Sequence, residues 1–378
     1  MSSLHITLTE LKNQSRLLKE AESLIRSNLV DKLYIAALHA DGLLRDEKFG
    51  ENIRARRFAL RTRKYSKNLF FQTLKYLEFS FRVYAGYKDK HIRVINVHTL
   101  SLLPLGVILK RIWGAKLVYD THELETETSG LYGVRKKLSK WVERALIDQV
   151  DLTIVVSESI ADWYTNAYRI PRPVVVLNAC HQRKLMKKNH FRLRLGIKEE
   201  QKILLYQGGL VHGRGVSLIL EAFRVRKDNN VVAVFMGYGS MQSDIEEFSK
   251  KRSNVFFYPA VSPSSVLEYT SSADMGIHLI QNTCLNHFYC MPNKLFEYAM
   301  AGLPVLVSDM KEMAAFVEGN SMGSVIKEFS PEAINHAIDL LLAQDIEVLH
   351  VNAHKTGVKH AWEVQEAAML RAYANLFI

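Results

Sequence analysis

Short runs of consecutive apolar residues punctuate the chain. Each is followed by Gly, Ser or polar residues and then by a longer stretch in which apolar positions recur at helical spacing. Strands of a parallel sheet read this way because covering helices leave neither face to water. In the first half the predicted strands are 4–8, 32–38, 93–97, 116–119, 152–156 and 174–177, with helices over 131–149 and 158–168 among those between them. A second series follows: strands at 203–207, 231–236, 255–258, 275–279 and 304–307, helices over 217–224, 241–249 and 264–270, and a closing helical stretch from 354 to 378. Between the series, 179–201 is basic and lacks the strand rhythm, which predicts a connector. The class is α/β, with two Rossmann-like doubly wound domains. The first spans 1–180, with 360–378 returning to it as a helix packed back on that domain. The second spans 181–359. Such sheets place ligands at the carboxyl ends of their strands, so two of them facing each other predict a central cleft.

Length and composition agree with two ordinary cores. The chain has 378 residues, 48% hydrophobic and 24% charged. Three cysteines, Cys180, Cys284 and Cys290, form no C-x-x-C pair, which fits a reducing compartment. The most apolar stretch, 100–109, is broken by Pro104 and falls short of the roughly 20 residues a bilayer span needs. The N-terminus lacks a secretion-signal layout. The expected location is the cytoplasm, extending to the inner face of the plasma membrane.

Charge changes this picture. The net charge of +11 is uneven: residues 1–180 hold 29 Lys+Arg against 19 Asp+Glu (+10), and residues 181–378 hold 21 against 20 (+1). The densest basic run is Arg54, Arg56, Arg57, Arg61, Arg63, Lys64 and Lys67, followed by the aromatic-rich FFQTLKYLEFSFRVY. Such a run reads as a helix face, either solvated or lying against an anionic membrane, and the membrane is the favoured partner. Nucleic acid is not, since no module that binds it is present.

Three segments carry candidate chemistry. MPNKLFEYAMAGLPVLVSD (291–309) places Pro292 at a helix start, with Lys294 and Glu297 on its first turns. Free amides and an ammonium there favour a phosphate, and the glutamate can accept from paired hydroxyls such as those of a ribose; both residues equally suit a helix terminus. YQGGLVHGRGVSLILEAF (206–223) runs from strand through a glycine-rich turn to a helix, with Gly208, Gly209, Gly213 and Gly215 allowing close backbone approach and Arg214 offering a planar fork of donors. MGYGSM adds Gly237 and Gly239 after another strand. In the first half, YDTHELETE (119–127) puts His122, Glu123, Glu125 and Glu127 after a strand, as a solvated loop or as groups for acceptor hydroxyls.

The order of GGLVHGRG, MGYGSM, NVFFYPAVSPSSVLEYTSSADMGIHLI and PNKLFEYAMAGLPVLVSD resembles the donor-binding domain of glycosyltransferase family 4. NQSRLLKEA, NVHTLSLLPLG, YDTHELETE and TIVVSESI resemble its first domain. The resemblance implies the GT-B fold and a retaining, metal-independent transferase. Its substrate would be a nucleoside diphosphate sugar, a UDP-sugar first among them, with no cofactor. Arg214 and Lys294 would bind the diphosphate, with the backbone of Pro292 and Asn293 near it, and Glu297 the ribose. Gly208, Gly209, Gly213, Gly237 and Gly239 would shape the donor site, and His98 would face the donor sugar, making His98, Arg214 and Lys294 the catalytic set. Asn13, Ser15 and Arg16, together with His122 and Glu123, are the candidates for acceptor contacts.

The pattern departs from the family at Gly209, where many members carry a basic residue, at LTELKNQSR, which replaces the frequent Gly-rich first loop, and at one position of the donor segment. Where the family commonly has a glutamate eight residues before the second, this chain has Tyr289, with Asn286 and His287 beside it. Neither an Asp-x-Asp motif nor a paired His or Cys spacing is present, so no metal site is expected. The predicted function is sugar transfer to a hydroxyl of a glycan or lipid-linked acceptor in cell-surface polysaccharide synthesis. Two competing readings are a non-catalytic partner of an active transferase and a sugar-nucleotide epimerase.

Overall fold

A computed structural model describes residues 1–12, 14–66 and 68–377. Asn13 and Lys67 lie outside the described residues. The chain divides into two compact units, Met1–Val176 with Glu366–Ile378, and Leu177–Gln365.

The first unit's strands are β1 (Ser2–Ile6), β2 (Lys32–Leu38), β3 (Asp46–Phe49), β4 (Ile53–Phe58), β5 (Ile92–Val97), β6 (Lys116–Asp120), β7 (Leu152–Val155) and β8 (Val174–Val175). Among the described residues they form one sheet in the order β3-β4-β2-β1-β5-β6-β7-β8, parallel except for β3 against β4. Its helices are α1 (Ser15–Arg26), α2 (Leu69–Tyr87), α3 (Leu103–Trp113), α4 (Gly133–Leu146) and α5 (Glu158–Tyr168). Local chemistry sets their starts: the side chain of Asn68 accepts from Phe71 N at 3.0 Å and that of Ser157 from Ile160 N at 3.4 Å.

In the second unit β9 (Lys202–Gly209), β10 (Val231–Tyr238), β11 (Val255–Pro259), β12 (Met275–His278), β13 (Val305–Ser308) and β14 (Gly323–Ile326) form a parallel sheet in the order β11-β10-β9-β12-β13-β14. Its helices are α6 (His190–Leu195), α7 (Val216–Val225), α8 (Gln242–Lys251), α9 (Val266–Thr270), α10 (Leu285–Phe288), α11 (Asn293–Met300), α12 (Lys311–Gly319), α13 (Pro331–Leu342) and α14 (Ile346–Lys359). Alternate strand residues feed two cores. Leu205, Val232 and Val234 pack with Phe296 and Phe316, whereas Leu204, Ala233 and Phe235 pack with Phe223 and Ile338. Burial on both faces is why these strands read as unbroken apolar runs.

The last helix, α15 (Trp362–Asn375), starts in the second unit, and from Glu366 onward it belongs to the first. There Tyr373 donates to Asn96 Oδ1, and Ser23 Oγ donates to Glu366 Oε2 at 2.5 Å. The continuous helix expected over 354–378 is instead α14 and α15, broken at His360 and Ala361.

The structure corrects the reading of the basic run. Residues 53–58 are strand, not helix: Ile53, Ala55 and Arg57 point inward while Arg54 and Arg56 face water. A single turn of 3-10 helix follows at Arg61–Lys64. The period-2 alternation of I-R-A-R-R-F won because β2 offers a parallel edge and β3 a hairpin partner. Arg57 is only 4% exposed. It donates to the carbonyls of Glu10 and Leu44, both at 2.9 Å, and pairs with Glu47 at 2.6 Å. Residues 54–64 therefore present no amphipathic helical face. β14 also lay outside the predicted strands, because G-S-V-I is too short and polar to announce itself.

Candidate functional site

In the second unit, β9 and β10 end on paired glycines. Gly208 and Gly237 stand opposite each other in the register, and a Cβ on Gly237 would run into the Gly208 carbonyl oxygen. Gly208 holds φ at +122°, and a Cβ there would collide with Lys294 Cε and come within 3.0 Å of its Nζ. Lys294 thus lies along bare backbone, an approach that glycine alone permits. Gly208, Gly237, Lys294, Glu297 and Gln207 line one cavity of 190 Å³, with Met236, Tyr238, Val261 and Val266 on its apolar side. Gly209, Gly213, Gly239, Pro292, Asn293 and Arg214 do not line it.

Helix α11 presents its two charged residues because of how it begins. Pro292 takes the cap position in extended conformation, and no described side chain caps the helix. First-turn amides have no carbonyl partner within the helix, which makes this end a place for an anion. Glu297, one turn on, accepts from Gln207 Nε2 at 2.5 Å, and Gln207 Oε1 accepts from Thr270 Oγ1 at 2.8 Å. A relay from β9 and α9 therefore aims the carboxylate.

Positive charge gathers beside it. Burial lowers the pKa of Lys294, Glu297 opposes that shift, and nearby Arg214, in the turn before α7, adds to it. His278 closes β12 at 1% exposure, with no partner for either ring nitrogen among the described residues. Burial, and then the charges of Lys294 and Arg214, hold its pKa well below the ordinary range. Two cations against a neutral imidazole in a desolvated corner would be relieved by an anion. Gln207 and His278 were missed at the sequence level: an amide inside a strand and a lone histidine at a strand end look like core residues. Tyr289 stacks at a tilt on Phe288 and carries Lys311 Nζ 5.5 Å from its ring centre, so no carboxylate stands at that position.

In the first unit the predicted residues meet in a buried polar cluster. His98 follows β5 and lies 2% exposed, with its Nε2 3.0 Å from His5 Nδ1 and its Nδ1 3.3 Å from both His122 Nε2 and Asp120 Oδ2. His122 Nε2 is 3.0 Å from the same carboxylate oxygen. Arg16 donates to both oxygens of Asp120, at 3.1 and 2.7 Å, and to the Val176 carbonyl at 2.7 Å, and it pairs with Glu20 at 2.8 Å. A guanidinium so fully engaged anchors the cluster rather than offering open donors, which corrects its expected contact with an acceptor. Ser15 is exposed at the start of α1, Glu123 is exposed beside His122, and the third candidate of that loop, Asn13, is one of the residues not described.

One arginine serves two carboxylates here, and they separate. Burial would raise the pKa of Asp120, but Arg16 and then His122 hold it well below the usual range. Burial, and then the charge of Asp120, push Glu20 well above it. Burial lowers His98 and, with His98 as second cause, His5, so both are neutral imidazoles near neutral pH. His98, Asp120 and His122 offer ligand atoms close enough for one cation, as do His5, Glu20 and His98. No spacing in the sequence announced either set. Arg16 already occupies both Asp120 oxygens, and its charge opposes a cation there. Farther along the loop, burial followed by Glu123 and Glu143 pushes Glu125 up to about 8, while Glu127 pairs with Lys136 and Lys140 on α4.

Two family models match adjoining parts of the chain: Glycosyltransferase Family 4 over residues 30–180, and Glycosyl transferases group 1 over residues 187–356. An uncharacterized glycosyltransferase of Methanocaldococcus jannaschii is 22% identical over 286 residues, 71% of this chain and 72% of that protein. The lipopolysaccharide glucosyltransferase WaaG of Escherichia coli is 29% identical over 161 residues, 41% of each chain. Among solved structures, a sucrose-phosphate synthase of Thermosynechococcus elongatus superposes with a TM-score of 0.81 at 14% identity, covering 100% of this chain and 99% of that one. HepE of Anabaena in complex with UDP gives 0.73 at 13% identity, covering 99% and 100%.

Proposed function

The chain belongs to glycosyltransferase family 4, with the GT-B fold and transferase activity, and from that premise we propose that it moves a sugar, with retention, from a nucleoside diphosphate sugar to a hydroxyl of a glycan or lipid-linked acceptor. The observation that carries this reading is the cavity where Lys294 lies along Gly208 and Glu297 stands one helical turn away. Its apolar wall of Met236, Val261 and Val266 suits the face of a nucleobase, Glu297 suits the two ribose hydroxyls, and Lys294, Arg214 and the amides at Asn293 suit a diphosphate. HepE was solved with UDP, which supports UDP as the first nucleotide to try. The likeness to WaaG, a lipopolysaccharide glucosyltransferase, supports an acceptor in cell-surface polysaccharide synthesis and hence work in the cytoplasm.

In this mechanism the acceptor oxygen bonds to the anomeric carbon on the face from which the phosphate departs, and the acceptor proton passes to that phosphate. Arg214 and Lys294 stabilise the negative charge that gathers on the leaving diphosphate, and no metal is required for it. His98, held neutral and braced by His5, His122 and Asp120, contacts the donor sugar; His122 and Glu123 meet the acceptor. These roles are tested by incubating the enzyme with UDP-, GDP- and ADP-sugars and acceptor-bearing membrane extract. Nucleoside diphosphate release is measured, and the anomeric coupling of the product is read by NMR. Release that vanishes in Lys294→Ala and a product of unchanged anomeric configuration are expected. An inverted product overturns retention, and an isomerised sugar nucleotide formed without acceptor overturns transfer.

A further inference from the structure

Beneath the donor cavity lies a histidine that the transfer reaction does not use. Strand β12 ends at His278, which is buried and has no hydrogen-bond partner for either ring nitrogen among the described residues. A buried polar atom left without a partner costs about 1–3 kcal/mol, so such an orphan calls for a reason. Strand geometry says where the ring points. A Cβ on Gly276 would lie 2.8 Å from the Tyr298 ring on α11, and His278, two residues on, belongs to the same face. Met275 and Gly276 pair in register with Leu204 and Leu205, which carries the end of β12 to the level of Gln207 on β9. Lys294 lies along Gly208, the next residue of that strand. The imidazole is thus enclosed beneath the start of α11, behind the cations placed on the diphosphate.

The charges around the ring explain why it is neutral and what would change that. From α11 come Lys294 and Tyr298, with Glu297 opposing Lys294, and from the turn before α7 comes Arg214. The Tyr298 hydroxyl donates to the Leu205 carbonyl at 3.1 Å and stays un-ionised, because burial pushes its pKa well up. On the flanking strands the neighbouring side chains are uncharged: Gln207 on β9, and Val307, which pairs with His278, on β13. Burial first, and then Lys294 and Arg214, disfavour the imidazolium. A nucleoside diphosphate sugar is a diester of diphosphate, with both phosphates ionised near neutral pH. Set against Lys294 and Arg214, it cancels their repulsion and adds an attraction of its own in a corner where little water screens it. Departure of the sugar leaves further negative charge on the same group.

We infer that His278 supplies a third positive charge for the diphosphate: the ring is neutral while the site is empty and takes a proton from solvent when the nucleotide settles against Lys294 and Arg214. Donor binding is thereby coupled to proton uptake. The nucleotide sugar has no group that titrates near neutral pH, so the proton is the protein's. Because the liganded form holds the extra proton, affinity strengthens as pH falls, by up to about tenfold per pH unit where uptake is complete. The inference rests on the donor-site reading above and adds a residue outside the cavity lining.

The test is calorimetric titration of the full chain with UDP-, GDP- and ADP-glucose in PIPES and in Bis-Tris, buffers of low and high ionisation enthalpy, between about pH 6 and about pH 8. For the nucleotide that binds, wild type gives heats that differ between the buffers by an uptake approaching one proton at the acid end, and its Kd tightens as pH falls. His278→Gln keeps an uncharged side chain in the corner; it binds without uptake, with a Kd flat across the interval and on the order of tenfold weaker than wild type at the acid end. Carbon-13 labelling of the imidazoles reads the same event in the unaltered protein: the His278 resonance, assigned through its proximity to Tyr298, moves to the imidazolium position only with nucleotide bound. Equal heats in the two buffers overturn the inference and leave the donor site standing, as does uptake that persists in His278→Gln and so belongs to Lys294. If none of the nucleotides binds, the donor-site reading fails and this inference falls with it.

Discussion

Replacing Gly208 by alanine separates the grip on the nucleotide from the stability of the fold. The new methyl group meets Lys294 Cε, inside van der Waals contact, and lies 3.0 Å from the Lys294 Nζ. The end of a lysine is flexible, so it swings away at little cost, and the strain left in the fold is that of a Cβ at φ +122°, about 1–3 kcal/mol. The displaced ammonium costs the site one charge-assisted hydrogen bond, about 1.5–3 kcal/mol, or roughly a ten- to hundredfold rise in Kd for the nucleotide. Lys294→Ala has a comparable effect on affinity without the backbone strain, and it removes a cation whose pKa burial has already lowered. Calorimetric titration with UDP, paired with thermal unfolding, reads the two effects apart. In the double variant the affinity losses do not add, because both changes remove the same ammonium, while the stability cost of Gly208→Ala persists. Wild-type UDP affinity in Gly208→Ala, or additive affinity losses in the double variant, refutes the placement of Lys294 on the diphosphate.

Three further outcomes follow from the same geometry. Glu297→Gln keeps the Gln207 contact but weakens acceptance from ribose, and the preference for UDP over 2′-deoxy-UDP narrows on the order of tenfold in competition titrations; an unchanged preference removes Glu297 from the ribose. Glu125 holds its proton to about pH 8 in the folded state, against 4.5 for the unfolded chain, so its contribution to stability is complete at low pH and declines as pH rises through that interval. Glu125→Gln abolishes the decline and gains up to about 5 kcal/mol at the alkaline end, and parallel stability-pH curves for the two proteins count against the buried acid. Arg57→Ala, which strips a buried strand residue of two carbonyl contacts and an ion pair, destabilises by about 2–4 kcal/mol, whereas exposed Arg56→Ala changes stability by no more than about 0.5 kcal/mol. Equal urea midpoints for the two variants contradict the strand register.

The polar cluster of the first unit shows why sequence spacing finds some site residues and not others. His98 and His122 each follow a predicted strand, and a doubly wound sheet brings the ends of neighbouring strands together, so their approach was legible from topology. His5 sits inside the apolar run of β1, and Glu20 within α1, where nothing distinguishes them from ordinary strand and helix residues. Arg16 was a candidate for an acceptor contact only through its place in the family resemblance. Only packing revealed that Asp120, more than a hundred residues away, claims its guanidinium.

By itself the sequence determined two largely parallel α/β sheets, because burial on both faces demands unbroken apolar strands, and it singled out Gly208, Gly237, Lys294 and Glu297, which the structure brings to one cavity, because turn and helix-start signals are local. Tertiary structure decided the fate of the basic run, where pairing with β2 and β3 overrode its helical appearance. It also decided which charges stay free. An arginine's role depends on the carboxylate it meets, a buried histidine's on the cations packed against it, and long-range pairings of this kind leave no period in the chain.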